Sequence, residues 1–265
     1  MIVEGNTEEY NSSDTPWAID WMGIGDATHA FNGTFLGGNR YIYRLKGSPL
    51  FVSLGKDAKI EQLNVSAIVI GNEQEQTAKA AVSGGGLFAE TNAGLICASQ
   101  VLDNISLSAE TAGAFVGQNT ADGRIYCCYH IGTTQGTANV GGLVGRNEGI
   151  ISCSFQAGVV NGTAIKRGIA AEHTGTIYST YFNKSLFNYD SPSSNVTPKT
   201  TAEMTKQQFV DDLNKGIRIW RSSTDTVIEE GGEEGETVEI KGLGHTGYDD
   251  HVFVYQPAHY PKLKE

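Results

Sequence analysis

The chain has 265 residues and a formal net charge of −11, with 33 glycines and only 18% charged residues. That acidity argues against a nucleic-acid partner, whose phosphates need basic surface, and against anchoring on an anionic bilayer. No run of about 18 apolar residues is present, so no segment has the character of a membrane-spanning helix. The apolar residues are patterned, which sets the chain apart from disordered sequences.

Residues 1–25 read as an N-terminal lead-in, in which Trp17, Ile19, Trp21 and Ile24 resemble the end of a coil. The first five residues lack the charged-then-apolar pattern of a secretory signal. The chain is therefore expected to be cytosolic, or a mature or excised piece of a secreted protein. Two weak units follow. Phe31 to Asn39 leads into Tyr41–Leu45, and Leu50-Phe51-Val52 leads into Ile60–Val65. The second unit carries an insertion, with Glu73–Gln76 as its polar site.

The next stretch repeats itself, and this decides the fold. Leu87, Phe115, Leu143 and Ile169 recur at intervals of 28, 28 and 26 residues. Ile96, Ile125, Ile151 and Ile177 recur at 29, 26 and 26. Between them stand Asn92, Asn119 and Asn147, each followed by a glycine (Gly94, Gly123, Gly149), which is a turn signal. The strand after each turn alternates. Ile125, Cys127 and Tyr129 are expected on one face, as are Ile151, Cys153 and Phe155, and Ile177, Ser179 and Tyr181. Cys127 and Cys153 are thus expected inside as small apolar residues.

One such unit cannot bury its own apolar face, whereas stacked units can. The expected fold is all-β: a parallel β-helix-like solenoid of about five to six coils over residues 26–183, with an internal isoleucine ladder. A sandwich of unrelated hairpins is the competing reading, disfavoured by the constant spacing.

The third unit, Gly141-Gly142-Leu143-Val144-Gly145-Arg146-Asn147-Glu148-Gly149 followed by Ile151 and Cys153, resembles the GLUG repeat of large bacterial surface proteins. These include adhesin-like proteins of gut Bacteroidetes. Phe31–Asn39 resembles the coil that often precedes such repeats, with Leu36 where an Asp is usual. The first unit departs at Ala89, and the fourth at Ala171 and His173. The resemblance implies a β-helix-like fold, a bacterial cell-surface, extracellular location and no catalytic residues. Other domains of a larger surface protein are candidate partners.

Residues 184–265 read as a C-terminal cap. A polar, Pro-containing connector over 184–199 precedes a short helix near 201–214, with Thr200 and Glu203 at capping-box spacing and Gly216 as its end. The helix is expected to cover the open end of the solenoid, where strand edges would otherwise aggregate. Tyr260-Pro261-Lys262-Leu263 resembles the closing strand usual in GLUG-containing surface proteins. The acidic stretch 229–236 reads as a solvated loop, since it lacks a calcium-loop spacing.

No cofactor or metal is expected. None of the six histidines stands in a paired metal-ligand spacing, and His245 and His251 beside Asp249-Asp250 read as surface loop. Two sets of ligand-face candidates emerge. Glu90, Arg146 and Glu172 fall at similar repeat positions and could line one outer ridge. Tyr126 and Tyr178 face outward from the second strand, either to stack on a sugar or partner, or to pack beneath the tail. The function expected is a non-enzymatic surface module that binds a host glycan or extracellular protein. The alternative is a carbohydrate-binding or glycan-degrading β-helix, which needs converging carboxylates.

Overall fold

In the computed structural model the described residues are 21–43, 45–66, 80–187, 189, 196–215, 226–230, 237–241 and 253–263. The lead-in before residue 21, Glu73–Gln76, Gly216, residues 231–236, His245, Asp249, Asp250 and His251 lie outside them.

Strands Phe51–Leu54, Ala89–Asn92, Val116–Asn119, Val144–Asn147 and Ala170–His173 form one parallel five-stranded sheet. A larger parallel sheet holds the second strand of every coil, from Lys59–Ser66 through Thr176–Tyr178 and Thr180–Asn183. Two further parallel sheets close the tube. The fold is therefore a β-solenoid of about five turns. Each coil leaves its backbone groups unpaired until the next one docks, so stacking satisfies ladder and core together.

The isoleucine ladder is present. Phe35 pairs with Ile60, Ile60 with Ile96, Ile96 with Ile125, Ile125 with Ile151, and Ile151 with Ile177. The five isoleucines are fully buried. On the facing sheet the register differs by one from the sequence alignment. Val116 pairs with Ala89, so Phe88 and not Leu87 stands against Phe115, and their rings stack at 4.8 Å.

The turns between the two sheets are closed by a polar ladder. The Asn92 side chain donates to Asn119 at 2.8 Å, and Asn119 donates to Asn147 at 2.7 Å. Asn147 in turn lies 3.2 Å from Nδ1 of His173. Gly149 has no alternative in this column, because a Cβ there would run into the carbonyl oxygens of Gly123 and Thr120.

The expected alternation of the second strands fails at one residue per coil. Gln62, Ala98, Cys127, Cys153 and Ser179 share one column and all have φ between 43° and 52°. A left-handed residue turns the strand through a corner and resets its alternation. Ile125 and Cys128 therefore point into the core, while Cys127 and Tyr129 join an outer apolar cluster. Cys153 and Phe155 behave alike, so the two cysteines are not core-lining as the sequence pattern implied.

That outer cluster is covered by the C-terminal region. Helix α1 (Thr201–Met204) starts at Thr200 with the expected capping box, and a break at Thr205-Lys206 separates it from α2 (Gln207–Lys215). Phe209 packs edge-on against Phe155 and Tyr181, and Phe253 packs on Tyr129 and Phe155. Asn214 holds the backbone of Phe253 through both its amide atoms, at 2.9 and 3.0 Å. The helix thus covers a side of the solenoid and not its open end. The end is met by the connector instead. Val196–Lys199 adds a strand to Thr180–Asn183, and Phe187 and Tyr189 pack on Phe182. Pro198 is tolerated there because it sits on an edge strand. Lys262–Leu263 forms the closing strand, antiparallel to Phe253–Val254. Glu229 and Glu230 of the acidic stretch belong to a hairpin strand paired with Thr237–Lys241, not to a loop.

Candidate functional site

Two surfaces emerge. The first is a straight polar row on the five-stranded sheet. Ser53, Thr91, Gln118, Arg146 and Glu172 stand in register, one per coil. Neighbouring coils in a sheet lie about 4.8 Å apart, so the row runs about 19 Å. Its members are held by bonds within and beside the row. Thr91 donates to the Ser53 hydroxyl at 3.0 Å, and Arg146 pairs with Glu148 at 2.9 Å. Gln118 reaches the same Glu148 carboxylate at 3.4 Å.

The sequence reading of this ridge is half right. Arg146 and Glu172 are directly paired neighbours, but Glu90 is one residue out of the row and Thr91 takes its place. The Glu90 carboxylate instead accepts the Gly85 backbone N–H at 2.6 Å and braces the preceding turn. The missed signal was the asparagine column. Counting back from Asn92, Asn119, Asn147 and His173 gives the true register. Glu90 and Glu172 lie three coils apart, about 14 Å, beyond the roughly 5–9.5 Å that separates paired glycosidase carboxylates. Glu172 itself accepts from Asn139 at 3.3 Å.

Tyr126 and Tyr178 are outward from the second strand but not available, being 3% and 4% exposed. Tyr126 belongs to the outer cluster that includes Phe209 and Phe253. The Tyr178 hydroxyl is buried with no hydrogen-bond partner among the described residues. Packing beneath the tail, the alternative the sequence left open, describes Tyr126.

The second surface is a cleft of about 380 Å³ lined by Gly38, Asn39, Tyr41, Asn64, Gln100, Tyr129, Lys262 and Leu263. A bulge between Leu36 and Arg40 shapes its rim, with Gly38 and Asn39 at φ of 55° and 59°. These two residues take positive φ more readily than others, and the adjacent Gly-Asn pair was the overlooked sign of a bulge. Behind the rim runs a hydrogen-bond chain. The Tyr129 hydroxyl donates to the Gln100 side-chain oxygen, and the Gln100 amide donates to the Tyr41 hydroxyl at 2.7 Å. Burial raises the Tyr129 pKa, which keeps that hydroxyl a proton donor. The Asn64 amide donates to the Asn39 carbonyl at 2.8 Å.

Among the described residues, the histidines show no shared site. His29 closes an exposed turn with Asp26, His130 is in the core, and His173 ends the asparagine ladder. Among the described residues, no three His, Cys, Asp or Glu side chains gather to hold a metal. No disulfide joins the four cysteines, and burial pushes the Cys128 thiol up to about 12. No helix among the described residues is long and apolar enough to cross a membrane.

Compared with protein-family models, curated proteins and solved structures, the chain matches none of them.

Proposed function

We propose that this chain is a non-enzymatic structural and adhesion module of a bacterial cell-surface protein, presenting its solenoid face to a host glycan or extracellular protein. The observation that carries this reading is the polar row from Ser53 to Glu172, one side chain per coil on a parallel sheet. Such a row offers an extended partner regularly spaced contacts without any groove. Arg146 is exposed and Glu172 is half-buried, so both can reach a partner. The commitment of Glu90 to a backbone turn and its distance from Glu172 support a binding role over glycan hydrolysis. The surface location rests on the GLUG-like residues of the third unit, and the net charge of −11 favours partners other than nucleic acid.

The test is binding of the purified chain to immobilised matrix proteins and host glycans, with an Arg146→Ala/Glu172→Ala double variant alongside. Saturable binding that weakens about tenfold in the folded variant is the expected result. Binding to nothing on the panel at high protein concentration overturns the reading in favour of a passive spacer.

A further inference from the structure

The cleft beside the bulge has features that neither the stack nor the polar row requires. Asn64 is 3% exposed, and its side-chain oxygen is buried without a hydrogen-bond partner among the described residues. A buried carbonyl left unpaired is destabilising, and such orphans call for an explanation. Asn64 lines the cleft, and its nitrogen is already spent on the Asn39 carbonyl. The Tyr41 hydroxyl accepts from Gln100, which leaves its own proton without an acceptor among the described residues. The cleft thus carries an unused donor on its wall and, sealed within a residue that lines it, an unused acceptor.

The chemistry of the remaining lining narrows the ligand. Among the described residues, no carboxylate lines the cleft, and Lys262 is its one cationic side chain. The rest is amide, phenol, backbone and the apolar Leu263. A hydroxyl group donates and accepts at once, so a neutral polyol matches an acceptor beside a donor better than an ion does. Tyr41 stacks on Tyr43 with ring centroids 5.6 Å apart, which stiffens an aromatic wall of the kind that packs against the C–H faces of sugar rings. The volume lies within the range of small-ligand sites, about 300–1,000 Å³.

We infer that this cleft binds a neutral saccharide, with the Tyr41 hydroxyl as donor and the Asn64 side-chain oxygen as the acceptor that ligand entry satisfies. Oδ1 is sealed from water, so binding includes a small opening of the cleft floor. The inference rests on the reading of this chain as a recognition module, but it places the ligand at a separate site from the polar row. Lys262 and Leu263 come from the closing strand, so the C-terminal region completes the cleft as well as covering the outer cluster.

Calorimetric titration of the whole chain with free galactose, N-acetylglucosamine and lactose tests it. Tyr41→Phe keeps the ring and removes the hydroxyl, and Asn64→Leu removes the acceptor. A thermal melt of each variant establishes that it is folded. The expected result is saturable binding of at least one saccharide, weakened about tenfold or more in folded Tyr41→Phe. Should Asn64→Leu fail to fold, Tyr41→Phe alone decides. Equal affinity in wild type and Tyr41→Phe overturns the assignment of the cleft. Absence of saccharide binding, with matrix-protein binding retained, overturns it too but leaves the module reading standing. Absence of both overturns both.

Discussion

Asn119 donates its side-chain amide to the Asn147 oxygen at 2.7 Å across the boundary between two coils, while its own oxygen accepts from Asn92. All three asparagines are fully buried. Each therefore closes its own turn and bonds to its neighbour, so the column fixes register as hydrophobic contact alone cannot.

Replacing the middle member tests this. Asn119→Ala strips Asn92 of an acceptor and Asn147 of a donor, both without access to water. The expected loss is about 3 kcal/mol, seen as a lower denaturation midpoint in urea. A loss below about 1 kcal/mol would mean the ladder contributes little.

Ile151 sits between Ile125 and Ile177 with no exposed surface. Ile151→Asp places an uncompensated charge in the core and is expected to cost about 4 kcal/mol or more. An unchanged melting temperature would contradict the inward direction of the ladder.

The corner column makes a different prediction. Cys153 has φ of 47°, a conformation that β-branched residues adopt only under strain. Cys153→Val should therefore destabilise the protein by about 1–2 kcal/mol more than burial alone suggests, and Cys153→Gly should cost less than Cys153→Val. Thermal melts of the two variants decide it. If valine proves the milder change, the corner is not left-handed.

Much of this was legible in the sequence, and the parts that were not share a cause. The spacing of Ile96, Ile125, Ile151 and Ile177 identifies the stacked coils because equivalent residues must pile directly on one another. The capping box at Thr200 and Glu203 is legible because it involves only adjacent turns. The corner is not, because nothing in the identities of Ala98, Cys127, Cys153 and Ser179 announces positive φ; stacking imposes it on whichever residue falls there. That single slip sends Tyr129 and Phe155 outward and creates the apolar face on which Phe209 and Phe253 pack. The misplacement of Glu90 arose from aligning Leu87 with Phe115, where small insertions make two registers one residue apart look alike. The cleft was hidden because its walls come from Tyr41, Gln100 and Lys262, far apart in the chain.

His130 supplies a pH dependence. It is fully buried, with Nε2 3.1 Å from the Asp103 carbonyl and Nδ1 3.1 Å from the Thr134 hydroxyl. The neutral ring with its proton on Nε2 satisfies both contacts. Burial lowers its pKa from 6.5 to about 4. The folded state thus binds this proton less readily than the unfolded state. Its contribution is intact above pH 6.5 and is lost as the pH falls from 6.5 towards 4, by up to about 3 kcal/mol. Melting temperatures between pH 7 and 4 should fall more steeply in the wild type than in His130→Gln. Parallel slopes would place the titration elsewhere.

Both proposed surfaces depend on five coils stacked in register. The most direct test is a distance along the polar row. Spin labels at Ser53→Cys and Glu172→Cys sit on the first and last of its five strands. The account predicts one narrow distribution consistent with a backbone separation of about 19 Å, four steps of about 4.8 Å. A broad distribution, or a separation that four stacked strands cannot give, would contradict the solenoid register.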